Sequence, residues 1–182
     1  MAIDEHALSL HFFKNSFLVF LDETGINLAL ARRFARSFQG TRAYSQRPFY
    51  PGENLTLIGA IARKGFLGGM TFEGGTNGIA FRVFIEKVLV PQLWSGACVV
   101  MDNLPAHQVK GVREMIESAG ASLIYLFPYS PDFNPIENCW SKLKQYLRSA
   151  AARSRDALEE TVSLGLDLIT KNDIRKRERS LS

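Results

Sequence analysis

The chain has two cysteines in 182 residues, Cys98 and Cys139, and they stand far apart with no paired Cys or His spacing around them. That excludes a disulfide framework and a zinc-ribbon or zinc-finger organisation, and leaves both thiols as reduced core residues. No apolar run approaches the ~20 residues that cross a bilayer, and residues 1–15 lack the basic start and apolar stretch of a secretory signal. The expected setting is intracellular and cytoplasmic, with no membrane partner. Internal repeats and low-complexity segments are also missing, which excludes a solenoid or a disordered tail as the main architecture. Acidic residues are absent from one long stretch: between Ile26 and Gly52 stand Arg32, Arg33, Arg36, Arg42 and Arg47, with no Asp or Glu.

What is present belongs to a soluble folded domain. Hydrophobic residues make up 46% and charged residues 22% of the chain, enough to build one sizeable α/β core with a short appendage. The net charge of +4 is mild, so its placement carries the meaning. The arginine stretch, and a second cluster of Lys171, Arg175, Lys176, Arg177 and Arg179, fit contacts to a phosphate backbone as readily as they fit a solvated surface.

Periodicity predicts strands over 17–21, 55–62, 66–72, 97–101 and 122–127. Helices are predicted over 78–93, about 108–118, about 135–151 and 156–169, with a polar, charged end from 170 onward. The short turn Arg63-Lys64-Gly65 returns the third strand antiparallel to the second. Gly74, Gly75 and Gly78 invite comparison with a phosphate-binding loop, but no Gly-Lys-Ser/Thr follows, so they read as a strand-to-helix turn.

Three carboxylates fall where decoration explains them poorly. Asp22 ends the apolar run Phe17-Leu18-Val19-Phe20-Leu21, and Asp102 ends Cys98-Val99-Val100-Met101. Strand interiors disfavour Asp, so an acid closing a buried strand points from the sheet edge into a site. Glu137 opens the last long helix behind Ser130-Pro131-Asp132-Phe133-Asn134-Pro135. The prolines stiffen that loop, with Asn134 as the helix cap and Pro135 in the first turn. At about 100° per residue, Glu137, Ser141, Lys144 and Arg148 share one stripe, beside an apolar stripe of Ile136, Cys139, Trp140, Leu143 and Leu147. Few carboxylates suffice for Mg²⁺, which takes oxygen ligands and keeps several waters, and two such ions can activate an attacking oxygen and stabilise a leaving one. Strand alternation turns Glu23 away from Asp22, making it structural or solvent-facing. Asp132 reads as a turn residue, Trp140 as core, and Asn103 as a better supporter of the acid site than His107, whose local hydrogen-bonding role competes with orienting Asp102.

Three motifs together resemble a known family. They are Phe20-Leu21-Asp22-Glu23-Thr24-Gly25, Met101-Asp102-Asn103-Leu104-Pro105-Ala106-His107, and Pro128-Tyr129-Ser130-Pro131-Asp132-Phe133-Asn134-Pro135-Ile136-Glu137, with 34 residues between Asp102 and Glu137. From about Phe17 to Arg148 the chain resembles the catalytic domain of a DDE transposase of the mariner-like and bacterial insertion-sequence superfamily, more distantly related to retroviral integrases. The element order matches the ribonuclease-H-like fold of that family, a mixed five-stranded sheet flanked by helices. The resemblance implies a catalytic domain over 17–151, an extension over 1–16, and a C-terminal helix and charged tail over 152–182. It implies Asp22, Asp102 and Glu137 as catalytic metal ligands for Mg²⁺, with Mn²⁺ substituting and two ions in the site. Asn103 and His107 become supporting residues, and Lys144, Arg148, Arg32 and Arg33 DNA contacts. The implied activity is cleavage of DNA at insertion-element ends and joining of the freed 3′ hydroxyl to target DNA, by a homodimer or larger assembly. Family members usually carry helix-turn-helix modules ahead of this domain, so a separate recognition polypeptide, or a longer parent chain, is expected. A simple nuclease of the same fold and a silent remnant that only binds DNA or partners are the alternatives.

Overall fold

The computed structural model describes residues 17–31, 36–44, 49, 52–126 and 134–178. Arg32, Arg33 and Arg47, the loop from Pro128 to Phe133 and the side chains of Arg175, Lys176, Arg177 and Arg179 lie outside what is described.

Five strands form one mixed sheet: β1 (Leu18–Ile26), β2 (Leu55–Ala62), β3 (Gly65–Glu73), β4 (Cys98–Met101) and β5 (Ser122–Tyr125), in the spatial order β3-β2-β1-β4-β5. The first three form an antiparallel meander, because a two-residue turn at Arg63-Lys64, relieved by Gly65 at φ 136°, is too short for a crossover. The β1/β4 and β4/β5 pairs are parallel, as connections through helices require. The expected mixed five-stranded sheet is thus present, with the third strand antiparallel to the second as the short turn implies.

Alternation along each strand feeds two apolar layers. Leu18, Phe20, Leu55, Leu57, Cys98 and Val100 face one side, and Val19, Leu21, Ile58, Ala60, Val99 and Met101 the other. The first side is covered by α3 (Ile136–Ala150), whose Ile136, Cys139, Trp140, Leu143 and Leu147 are all buried, as its apolar stripe predicts. The second side is covered by α1 (Gly78–Phe84), prolonged by a π turn (Ile85–Leu89) and a 3₁₀ turn (Val90–Gln92), and by α2 (Val112–Ser118). Pro91 has no N–H to continue an α-helix, which accounts for the change of helix type along this segment.

Three expectations at element ends differ from the structure, while the start of the helix carrying Glu137 agrees to within a residue. β1 runs on to Ile26, because Asp22 to Ile26 still pair with β2, at Gly59 to Leu55, after the pairing with β4 has ended at Phe20. Asp22 is therefore inside a strand and not at its end. The helix expected from residue 108 starts at Val112, because Gly111 adopts φ 94° and breaks the backbone just before it; Pro105–His107 form a separate 3₁₀ turn. The helix carrying Glu137 begins at Ile136, with Pro135 already at helical angles and the Asn134 side chain accepting from the Ile136 N–H at 3.3 Å. The charged C-terminal end folds back onto the domain. After α4 (Arg155–Asp167), α5 (Lys171–Glu178) buries Ile174 in the same apolar layer as Trp140, and Lys142 reaches the Leu168 carbonyl and Asp173 at 2.7 Å. Both cysteines are free and buried, as expected, and burial pushes the Cys139 thiol up to about 12.

Candidate active site

Asp22 and Asp102 meet at the open end of the parallel pair. The β1/β4 register closes with Phe20 opposite Val100, and each Asp lies two residues further along its own strand. This is the C-terminal edge of the parallel strands, where open α/β sheets place their sites.

Asp22 is held from the α3 side. The Trp140 indole N–H donates to Asp22 Oδ2 at 3.2 Å. Opposite Asp22 in the antiparallel ladder is Gly59, where an added Cβ would come within 2.6 Å of Trp140 Cη2. A side chain at residue 59 would therefore displace the indole. Trp140, expected to be plain core, is 2% exposed and also a hydrogen-bond donor to the acid. Its position three residues after Glu137, on the neighbouring turn of the same helix, is the sequence signal for this arrangement. The Asp22 carboxyl is pushed up to about 7, chiefly by burial. The hydrogen bond from the Glu23 main-chain N–H opposes the shift, and the charges of Glu137, Glu23 and Asp102 add to it.

Asp102 is held from the other side of the sheet. His107, fully buried, stacks on Phe81 with ring centroids 4.3 Å apart and an interplanar angle of 25°. Its Nδ1 touches Asp102 Oδ1 and lies 3.2 Å from the Asp102 main-chain oxygen, while Nε2 lies 2.6 Å from Glu23 Oε1. Burial alone would pull the imidazole down. The hydrogen bonds and charges of Asp102 and Glu23 outweigh it and hold His107 up to about 10, so both nitrogens carry protons to donate.

Glu137 is exposed in the first turn of α3, and its charge acts on Asp22. Among the described residues, the one group of three or more metal-ligating side chains with ligand atoms mutually within 4.8 Å is Glu23, Asp102 and His107, not Asp22, Asp102 and Glu137. The three expected acids are not drawn together as tightly as that group. Their donor chemistry fits a hard cation. Oxygen donors are what Mg²⁺ and Mn²⁺ take, and an ion beside Asp22 would favour its charged form against the burial and the neighbouring charges that raise its pKa.

The remaining candidates divide clearly. Asn103 is exposed and its side-chain oxygen accepts from Gln108 Nε2, a tie within its own loop. His107 has taken the supporting contact with Asp102 that Asn103 was favoured to make, because the Pro105–His107 turn swings the imidazole inward and leaves Asn103 outside. Lys144 and Arg148 are half-exposed on α3 and continue the Glu137 stripe, while Arg32 and Arg33 fall outside the described residues. Glu23 points away from Asp22, as alternation predicts, yet it is engaged with a buried histidine and not simply solvated.

A family model described as DDE superfamily endonuclease matches residues 17–159. The chain belongs to that family. Its fold is also that of solved mariner transposase structures. A Mos1 strand transfer complex superposes with a TM-score of 0.74 at 18% identity, covering 97% of this chain and 56% of that one. A Mos1 mariner paired-end complex with Mn gives 0.73 at 18% identity, again covering 97% of this chain and 56% of the other. The isolated Mos1 catalytic domain gives 0.65 at 14% identity, with 97% and 81% covered. The chain thus spans a little over half the length of the transposase chains in those complexes. No curated protein matches it by sequence. Among the described residues, no helix is long and apolar enough to cross a membrane.

Proposed function

We propose that this chain is the catalytic domain of a metal-dependent DNA transposase that cleaves phosphodiesters at element ends and joins the 3′ hydroxyl to target DNA. Family membership supports endonuclease chemistry, and the solved relatives in strand-transfer and paired-end states lend the joining step its support. The observation that carries the reading is Asp22, half-buried near the mouth of the β1/β4 pair and raised to about 7, chiefly by burial of its carboxyl, with the charges of Glu137, Glu23 and Asp102 adding to it.

Asp22, Asp102 and Glu137 would hold two divalent ions, Mg²⁺ or Mn²⁺. Bound there, the ions supply Lewis-acid activation of the attacking oxygen and stabilisation of the leaving one. The chain's own residues do the rest. Asp22 is steadied by the Trp140 N–H at Oδ2 and would contribute its carboxylate to the ions together with the other two acids. Lys144 and Arg148 extend from Glu137 along α3 as a track for the phosphate backbone, with Arg32 and Arg33 as further contacts. In cleavage, water attacks phosphorus and the 3′ oxygen leaves with a proton; in joining, that 3′ hydroxyl attacks a target phosphodiester and displaces the next 3′ oxygen. Paired ends call for a homodimer or larger assembly, and recognition of the end sequences for a helix-turn-helix module, in the same protein or a separate one.

The test is strand transfer with pre-cut duplex ends drawn from the inverted repeats flanking the gene. Joining by the wild type in Mn²⁺, and its loss in a folded Asp102→Asn variant, is expected. Cutting without joining assigns the site to a simple nuclease, and joining that survives Asp102→Asn overturns the site.

A further inference from the structure

Every described acid near the site has a place in the metal reading except Glu23, and every nearby nitrogen base except His107. The two are in direct contact, and the contact ends on Asp102. Nε2 of His107 is 2.6 Å from Glu23 Oε1, and Nδ1 is against Asp102 Oδ1. The Phe81 stack and complete burial leave the ring no freedom to turn, and the Tyr125 hydroxyl donates to the His107 main-chain oxygen at 3.4 Å.

The exposure of Asp102 is uneven. Its side chain is 41% exposed overall, yet Oδ1 is buried, with no partner among the described residues besides the His107 ring that touches it. The exposed part of the carboxylate is therefore the Oδ2 side, which faces outward at the strand end.

Glu23, Asp102 and His107 lie close enough together to suggest a cation held directly between them. The geometry argues otherwise. The two carboxylates sit on different ring nitrogens, and a contact of 2.6 Å between Nε2 and Oε1 is a hydrogen bond with no space for an ion. Hard divalent cations also prefer oxygen to imidazole. Carboxylates that ligate a metal are themselves usually hydrogen-bonded by outer partners that orient them, and an imidazole braced on a second carboxylate can fill that place.

We propose that Glu23 and His107 form a positioning pair for Asp102. Glu23 fixes the imidazole from the far face of the sheet, the imidazole occupies Asp102 Oδ1, and Oδ2 is left presented to a divalent cation. The proposal rests on Asp102 being a metal ligand, as argued above. His107 acts through Asp102, so its effect is read first in cation affinity and not in turnover.

The experiment is Mn²⁺ titration of the whole chain by calorimetry, with thermal midpoints measured alongside, for wild type, Asp102→Asn, Glu23→Gln, His107→Gln and His107→Asn. The asparagine amide can replace the Nδ1 donor to Asp102, whereas the glutamine amide reaches towards Glu23. Expected are a loss of Mn²⁺ affinity of about 10-fold in Glu23→Gln and up to about 100-fold in His107→Gln, with part of it recovered in His107→Asn. Binding abolished by Asp102→Asn but unchanged in Glu23→Gln, an isosteric change that keeps the fold, overturns the positioning pair alone. Equal losses in His107→Asn and His107→Gln, tracking a lowered thermal midpoint, reduce His107 to packing and overturn it too. No saturable binding by wild type, or undiminished binding by Asp102→Asn, overturns the metal-site reading on which the pair depends.

Discussion

The two faces of the sheet treat the two strand aspartates differently. On one face a single 15-residue helix, α3, supplies both an acid and its neighbour's hydrogen-bond donor: Glu137 at its first turn and Trp140 on the next. On the other, short and irregular pieces converge, with Phe81 from α1, His107 from a 3₁₀ turn and Glu23 from β1. A long amphipathic helix sets a side chain by its register on the sheet, so one neutral N–H is enough to steady Asp22. Among the described residues, no such helix lies over Asp102 on the other face, and there Asp102 is secured by a charged histidine braced on a second carboxylate. Burial raises the Asp22 carboxyl to about 7, while the two carboxylates hold the imidazole beside Asp102 well above its ordinary value.

The largest expected effect comes from removing the acid supplied by the regular face. Glu137→Gln should cut metal-dependent cleavage at least ~100-fold, since lost metal-ion catalysis is worth several kcal/mol, with the circular dichroism spectrum unchanged because Glu137 is exposed. Activity close to wild type would remove α3 from the chemistry and leave it a packing element.

Next is the pH response of the metal-free protein. Asp22 is raised from 3.8 to about 7 on folding, so the folded state binds its proton more tightly than the unfolded chain does. Its favourable contribution is complete below about pH 4 and disappears as pH rises through 7. In EDTA, Asp22→Asn should match wild type near the acid end and be the more stable protein at pH 8, by no more than a few kcal/mol. Thermal midpoints at the two pH values decide it, and a difference that does not depend on pH refutes the assignment.

A pair of glycines sharpens the contrast between faces. A Cβ at Gly59 would meet Trp140 Cη2 at 2.6 Å, and one at Gly68 would meet Val88 Cγ1 at 2.7 Å in the π turn on the other face. Each Gly→Ala change should cost about 1–3 kcal/mol by overpacking. Gly59→Ala alone should also weaken Mn²⁺ binding, because the displaced indole releases Asp22; equal calorimetric affinity in both variants would count against that coupling.

The smallest effect belongs to the C-terminal staple. Lys142 and two Thr170 donors hold the Asp173 carboxyl down to about 2 in spite of the opposing effect of burial. Its contribution is present above about pH 4 and is lost as pH falls through 2. Asp173→Asn should cost about 1 kcal/mol or less at neutral pH, as exposed pairs do, and chemical denaturation at pH 7 and pH 3 should show the gap shrinking on acidification.

Much of this was legible in the residues. Five strands followed from apolar runs and turn residues, the buried stripe of α3 from its 3.6-residue period, and the two strand acids from the cost of placing a carboxylate in a sheet. These are local signals, each carried by a few neighbouring side chains. Boundaries were less legible, as at Asp22, where β1 continues because β2 supplies a partner that no local pattern in β1 reveals. The end of the chain was missed for a related reason, since Ile174 gains its meaning from the layer it enters and not from the charged residues around it.

The sequence by itself determined the elements, the two-layered distribution of apolar residues and the family's three acidic motifs. The tertiary structure alone decided which groups those acids touch. Glu23 and His107 are 84 positions apart, and Asp22 and Trp140 118 apart. The parallel crossover that carries β4 alongside β1 is what brings the first pair together, and the packing of α3 across β1 and β2 the second. Contacts of that range are set by the closure of the whole sheet, so their hydrogen bonds, and the charge states they impose, exist only once the fold is complete.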